Sequence, residues 1–136
     1  MTDRHGLDAR LRSLREYLGH LAMLRTLGLR RVSSDPILEG ALCRYLQLSI
    51  ECALDIGELI IAGEGWPRPA TNRDVILLLG KKGLLPKSFA EPFSLAAGLR
   101  NILVHDYVEV DLALIFQHLR RLDDFDRFSR YVTRYL

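Results

Sequence analysis

The sequence has few of the residues that build disulfide frameworks, metal centres or membrane spans. It contains two cysteines among 136 residues, and its histidines, His5, His20, His105 and His118, are too dispersed for an obvious metal site. No apolar stretch approaches the ~18 residues of a membrane span. The first residues, Met1 to His5, lack the apolar core of a secretion signal. We therefore expect a soluble, cytoplasmic protein without a metal or another cofactor.

The two cysteines, Cys43 and Cys52, are nine residues apart. On one helix they would face opposite directions, so they cannot bridge each other there. Because no histidine lies at metal-ligand spacing from them, we interpret both as buried thiols in a reducing compartment.

An excess of one sign of charge is also lacking, since the net charge is only +2. That value is too small to indicate a nucleic-acid-binding protein by itself, and no helix-turn-helix or strong basic stripe is visible. Basic residues do cluster in two places, where a solvated surface is the common meaning and phosphate contact the alternative. The first cluster is Arg68, Arg73, Lys81, Lys82 and Lys87, and the second is Arg127, Arg130 and Arg134.

The pattern of apolar residues predicts helices along the whole chain. A heptad-like seam marks the first helix, which ends near Gly28. Asp35 and Pro36 are a capping residue and a first-turn proline, and they begin a long helix that reaches about Ala62. The seam consists of Leu7, Leu11, Leu14, Leu18 and Leu21, and the long helix should bury Leu38, Leu42, Tyr45, Leu46, Ile50, Leu54 and Ile61.

Glycine and proline from Gly63 to Pro69 predict a connector. Thr71 and Asp74 resemble a capping box ahead of a short helix, Val75 to Gly80. Ser88 with Glu91 forms a second box, for a helix that runs on to about Ile102. Residues 107–110 could be briefly extended. Asp111 is placed to cap a last helix, which should turn Leu112, Ile115, Phe116, Leu119, Leu122, Phe125 and Phe128 inward.

These elements predict an all-α, up-and-down bundle of four to five helices. The length fits one domain, residues 1–136, able to bury roughly two-thirds of its unfolded surface. With 49% hydrophobic residues, a packed core is expected.

Motifs for common active sites are missing, because there is no GxxxxGK[ST] or GxGxxG phosphate loop and no HExxH metal motif. What remains is Arg100, His105 and Tyr107 within an otherwise apolar run. An imidazole can transfer a proton near pH 7, and a guanidinium can hold phosphate oxygens as negative charge builds. This chemistry suits cleavage of an RNA phosphodiester without a metal, with the 2′-hydroxyl as nucleophile.

A purely structural interpretation of the same residues stays open. Arg100 would then pair with a structural carboxylate, His105 would cap a helix and Tyr107 would pack. On one unbroken helix, Tyr107 lies within ~20° of Arg100 but His105 is turned away by roughly 140°. We therefore expect the chain to leave the helix near His105, so that the three side chains converge.

Arg100, His105 and Tyr107 match the RxxxxHxY signature of the HEPN superfamily, with a polar Asn101 after the arginine. The resemblance extends to HepT-type proteins over essentially all of the chain. It includes the Leu- and Arg-rich first helix, the long second helix with the segments 45–51 and 55–57, and the Trp66-Pro67-Arg68-Pro69 connector.

This resemblance implies the toxin of a toxin–antitoxin pair, a metal-independent ribonuclease built as a homodimer. Arg100 would bind the scissile phosphate, His105 would transfer the proton and Asn101 would orient the site. The implied partner is an MntA-like nucleotidyltransferase antitoxin, which neutralises the toxin by attaching AMP to Tyr107. RNA would be the substrate.

Two arguments from the residues themselves also favour a two-fold dimer. One imidazole cannot easily be both base and acid, and the seam of the first helix together with Leu95, Leu99 and Ile102 exceeds what a monomer needs. Such an interface should bury over ~1,200 Å². The alternative function is a non-catalytic helical interaction module or nucleotide-binding module that partners a nucleotidyltransferase.

Overall fold

The computed structural model describes residues 3–105 and 112–136. The helices are α1 (Arg4–Leu27), α2 (Leu29–Ser33), α3 (Pro36–Glu64), α4 (Asn72–Lys81), α5 (Lys87–Ser94), α6 (Ala96–His105), α7 (Leu112–His118) and α8 (Leu122–Tyr135). A 3₁₀ turn at Leu119–Arg121 joins the last two helices. The all-α prediction is confirmed.

Side-chain caps mark the starts of α3 and α4, but α4 begins at Asn72, three residues before its predicted start at Val75, and α3 runs two residues past Ala62. Asp35 caps α3 by accepting a hydrogen bond from the Ile37 amide at 2.9 Å, and Pro36 occupies the first turn. Thr71 caps α4 in the same way, through the Asp74 amide at 3.1 Å. The α1 and α3 ends are closed by Gly28 and Gly65, both at positive φ, where a side chain would be strained.

Helix α3 is the spine of the bundle, and α1 packs along it. Four of the five seam leucines, Leu7, Leu11, Leu14 and Leu21, are fully or almost fully buried in the protomer, and Leu18 packs at the edge of the core. The seam therefore faces α3 and offers no spare surface. The expectation that it exceeds the needs of a monomer is wrong, because α3 already covers it.

Helix α4 lies in close contact with both α3 and α5. A Cβ added to Gly57 on α3 would lie 2.7 Å from a Val75 methyl, and one added to Gly80 would lie 2.6 Å from the Ala90 Cβ. Both distances are shorter than real side chains tolerate. Glycine at these two positions therefore allows α4 to contact α3 on one side and α5 on the other.

The helix predicted from Ser88 to Ile102 is interrupted. It begins one residue earlier, at Lys87, with Pro86 before it and no side-chain cap, so Ser88 is not a capping residue. Pro92 lies inside α5 and lacks the amide that would continue the hydrogen-bond ladder. The chain turns at Leu95, and α6 starts anew at Ala96.

The C-terminal segment closes the bundle through aromatic side chains. Phe93 of α5 lies 5.2 Å, centroid to centroid, from both Phe125 and Phe128 of α8. Of the residues predicted to face inward, Ile115, Leu119, Leu122, Phe125 and Phe128 are buried. Leu112 and Phe116 are half-buried against the same core.

Some predictions concern residues outside the ranges 3–105 and 112–136. The cap at Asp111 and the extended segment 107–110 lie outside the described residues, and the single-domain organisation stays a prediction. Of the two thiols, Cys43 is buried, but Cys52 is only half-buried, so the prediction of two buried thiols is wrong for Cys52. Both are free. Across residues 3–105 and 112–136, no helix is long and apolar enough to cross a membrane.

Candidate active site

Arg100 lies on α6 at the edge of its contact with α3. The inward face of α6 carries Ala97, Leu99 and Leu103, all buried. Arg100 follows Leu99 by one residue, so its side chain leaves the core and reaches the surface, where it is 31% exposed. A charged group at such an edge can meet a ligand without the cost of full burial.

A carboxylate on α3 holds this arginine. Arg100 Nε donates to Glu51 Oε1 at 3.4 Å, and Gln47 donates to the same oxygen from one turn earlier, at 3.1 Å. Glu51 is also 31% exposed. The pairing with a carboxylate that a structural interpretation of Arg100 requires is therefore present. It is equally what an arginine needs to keep one orientation for a phosphate.

Sequence reasoning did not include Glu51 in the site. Glu51 and Arg100 are 49 residues apart, and no spacing rule joins residues on different helices. The one available signal was polarity: Gln47 and Glu51 stand one turn apart within a long, mostly apolar helix.

Asn101 and His105 lie on α6 with Arg100, and His105 is the last residue of that helix. Five residues of helix correspond to a rise of ~7.5 Å and to ~140° of rotation from Arg100 to His105. The side chains of Asn101 and His105 lie outside the described part of the chain, as does Tyr107 entirely. Convergence of the three motif side chains thus stays a prediction.

A second ion pair stands one turn further along α3. Arg10 of α1 approaches Asp55 to 3.9 Å, and these side chains are 40% and 53% exposed. Burial raises the pKa of Asp55, while Arg10 lowers it and Glu51 raises it. Cys52 lies between the two carboxylates on α3, and burial, Asp55 and Glu51 raise its pKa to about 11 against the opposing effect of Arg10.

The two basic clusters differ in what their members contact. In the second cluster, Arg127 pairs with Asp124 at 3.7 Å and Arg130 with Asp126 at 2.8 Å. In the first cluster, Arg73 donates to the buried Ser94 hydroxyl at 3.2 Å. Lys82 lies over the Trp66 ring, 5.4 Å from its centroid. The C-terminal arginines are therefore engaged on α8 itself, which favours a structural role for that cluster.

The sequence matches one known protein family over nearly its whole length. The model described as ribonuclease HepT-like matches residues 9–132, nearly the whole chain. The chain belongs to the HepT-like ribonuclease family.

Curated HepT relatives match over much of their length. A protein named tRNA nuclease HepT from Aphanizomenon flos-aquae is 28% identical over 131 residues, which is 96% of this chain and 89% of that protein. An mRNA nuclease HepT from Shewanella oneidensis is 30% identical over 95 residues, 69% of this chain and 71% of that one.

The fold is that of a HEPN toxin. The tri-AMPylated HEPN toxin of Shewanella oneidensis, solved in complex with an MNT antitoxin, superposes with a TM-score of 0.86 at 23% identity. The match covers 94% of this HepT-like chain and 96% of that chain. The sequence prediction of a HEPN-like bundle is confirmed.

Proposed function

We propose that this HepT-like chain is a ribonuclease toxin that cleaves RNA without a metal ion. Membership of the ribonuclease family supports the activity, and relatives are named as nucleases of tRNA and of mRNA. The observation that carries the proposal is Arg100. It stands partly exposed on α6, oriented by Glu51, on the helix that ends at His105.

In this proposal, Arg100 binds the scissile phosphate. Guanidinium donors hold the non-bridging oxygens, and their charge stabilises the phosphorane-like transition state more than the ground state. An arginine has several N–H donors, so a bond from Nε to Glu51 is compatible with phosphate binding through the terminal nitrogens. Asn101, next along α6, would orient the site.

His105 would transfer the protons. The 2′-hydroxyl gives up its proton and its oxygen attacks phosphorus, while the 5′-oxygen leaves and takes a proton. The products are a 2′,3′-cyclic phosphate and a 5′-hydroxyl. One imidazole cannot easily serve both ends, and five residues of ideal helix correspond to ~140° of rotation between positions 100 and 105. We therefore propose a two-fold homodimer that pairs two motifs, which sedimentation at micromolar concentration tests.

The activity is tested with purified protein and RNA in excess chelator. Cleavage should persist in EDTA, and His105→Ala should lower its rate by roughly 10²-fold or more, because general acid–base catalysis is lost. The 5′ fragment should carry a cyclic or monoester phosphate. Activity that disappears with EDTA would overturn the metal-free mechanism. Unchanged cleavage by His105→Ala would remove His105 from it.

We also propose that a nucleotidyltransferase antitoxin controls this toxin by transferring AMP to Tyr107. The similar Shewanella oneidensis structure is a tri-AMPylated toxin in complex with an MNT antitoxin, which supports this partner. AMP on Tyr107, two residues past His105, would bring a negative phosphodiester to the space where an RNA phosphate should bind.

The Tyr107→Phe variant removes one oxygen and tests this control. With the partner transferase and ATP, the intact mass of the wild type should rise by whole AMP units and its cleavage should stop. The variant should keep its fold and much of its activity while escaping neutralisation. A variant that still gains AMP and is still silenced would exclude Tyr107 as the acceptor.

The second candidate function is a non-catalytic module that binds a nucleotidyltransferase or a nucleotide. The Arg100–Glu51 ion pair is compatible with it, since the pair could be purely structural. The two functions separate in the His105→Ala experiment, because a scaffold has no cleavage to lose.

A further inference from the structure

A cavity of about 220 Å³ lies where α3 ends and the connector to α4 begins. Its walls combine the last turns of α3 with the connector: Glu58, Ile61, Ala62, Trp66, Arg68 and Pro69. The backbone around it is fixed. Gly65 closes α3 at a φ of 71°, and the Trp66 amide donates to the Ile61 carbonyl at 3.1 Å. The indole of Trp66 packs, partly buried, against the hydrophobic core.

The wall of this cavity is apolar and its rim is charged. Trp66 is half-buried, and Lys82 of α4 places its ammonium group 5.4 Å from the indole centroid. Arg68 and Glu58 are exposed. Within residues 3–105 and 112–136, neither of these two forms an ion pair. An aromatic wall with a guanidinium and a carboxylate on its rim has both of the chemistries that a nucleotide needs.

The cavity shares a face of α3 with the candidate active site. Glu58 follows Glu51, the partner of Arg100, by seven residues. Seven residues are ~20° short of two helical turns and span ~10 Å. A stacked nucleic-acid strand advances ~3.4 Å per nucleotide, so this separation corresponds to about three nucleotides. One strand could therefore reach along α3 from the Arg100–Glu51 pair to the Glu58 side of the cavity.

We propose that this cavity is a nucleobase-binding subsite for the RNA strand whose phosphate Arg100 holds. The base packs against Trp66, where stacking on an aromatic side chain is worth ~1–3 kcal/mol in single-strand binding proteins. Arg68 and Lys82 attract the flanking phosphates. The volume lies below the roughly 300–1,000 Å³ of pockets for drug-sized ligands, which fits one base. This inference rests on the proposed ribonuclease function.

Glu58 gives the proposed subsite a preference among nucleobases. A carboxylate on the rim repels phosphate, but it accepts hydrogen bonds from N–H groups on the edge of a base. Guanine presents two such groups side by side, whereas uracil presents one between two carbonyl oxygens. The subsite should therefore favour guanine over uracil.

The chain offers a direct reporter, because Trp66 is its single tryptophan. Indole fluorescence excited at 295 nm is titrated with 5′-GMP, 5′-UMP and ribose 5-phosphate, a matched set with and without a base. We expect saturable quenching by GMP, weaker quenching by UMP and none by ribose 5-phosphate. Equal responses to all three, or no saturable response, would overturn the subsite.

Two variants test the rim without touching the indole. Arg68→Ala should weaken GMP binding by roughly tenfold, the loss expected for a charge-assisted contact. Glu58→Gln should reduce the preference for GMP over UMP. The control is Arg44→Ala, which removes an exposed arginine from the same helix 14 residues before Glu58; it should bind GMP as the wild type does. If Arg68→Ala and Arg44→Ala behave alike, the proposed role of Arg68 is wrong.

Cleavage is measured on the same preparations, which separates this inference from the function beneath it. A protein that cleaves RNA but shows no base-dependent quenching refutes the subsite and leaves the ribonuclease standing. A protein that shows the quenching and cleaves nothing keeps the nucleotide site and refutes the ribonuclease.

Discussion

Two arginine–carboxylate pairs stand one turn apart on the same face of α3. Arg100 reaches Glu51 from α6 at 3.4 Å, and Arg10 reaches Asp55 from α1 at 3.9 Å. The first pair is 31% exposed on both sides, whereas the members of the second are 40% and 53% exposed. Each pair ties a neighbouring helix to the spine, but only Arg100 belongs to the RxxxxHxY motif.

The geometry of an ion pair does not by itself reveal the role of the pair. Pairs as exposed as these contribute about 0.2–1 kcal/mol to folding, so stability explains neither of them well. Arg10 is the matched control that the chain supplies for Arg100: the same side chain, on the same face of the spine, outside the motif.

The largest expected difference is in catalysis. Arg100→Ala should lower RNA cleavage by roughly 10²-fold or more, because it removes the charge that we propose stabilises the transition state. Arg10→Ala should change cleavage by less than about twofold. Single-turnover rates with one RNA substrate measure both variants.

The stability of the Arg100→Ala and Arg10→Ala variants must be measured together with their cleavage rates. Both variants should lose about 0.2–1 kcal/mol, a shift in Tm of a few degrees at most. Equal losses of cleavage in the two variants would mean that both pairs act through the fold, and would contradict a catalytic Arg100.

A smaller difference in cleavage is expected between variants of the two carboxylates, Glu51 and Asp55. Glu51→Gln keeps an oxygen near Arg100 Nε but removes the charge, so cleavage should fall by about fivefold, equivalent to ~1 kcal/mol of lost orientation. Asp55→Asn should leave cleavage unchanged. Faster cleavage by Glu51→Gln would instead show that Glu51 competes with the phosphate for Arg100.

The sequence predicts the caps and seams of this fold well because they are local. Asp35 and Thr71 cap the helices they were expected to cap, since a capping side chain bonds within its own turn. The Arg100–Glu51 pair could not be predicted in that way. It depends on how α6 packs against α3, which no local pattern encodes.

Two errors have the same origin. The leucine seam of α1 predicts surplus apolar surface, because a periodic stripe does not say whether its partner lies in the same chain. The apolar pattern before the motif predicts an unbroken helix, but the chain turns at Leu95, three residues after Pro92. Arg100, predicted as a site residue from its chemistry and from the RxxxxHxY motif, lies partly exposed on α6, and its role in the site stays a prediction.

The smallest expected effect is on the rate at which Cys52 is alkylated. Cys52 lies between Glu51 and Asp55 in the sequence of α3. Burial, Asp55 and Glu51 raise its pKa to about 11, and Arg10 lowers it. At pH 9, about one thiol in a hundred is then ionised, so alkylation by iodoacetamide is slow. Arg10→Gln should raise the pKa further and slow alkylation by about two- to fivefold, the effect of a partly exposed charge worth up to ~1 kcal/mol.

Asp55→Asn should act in the opposite direction, since it removes a negative charge that disfavours the thiolate. Peptide mapping by mass spectrometry follows Cys52 separately from the buried Cys43. Opposite signs for Arg10→Gln and Asp55→Asn identify an electrostatic effect, because loosened packing would speed alkylation in both. Acceleration in both variants would show that the Arg10–Asp55 pair acts on Cys52 by closing the α1–α3 contact rather than by its charges.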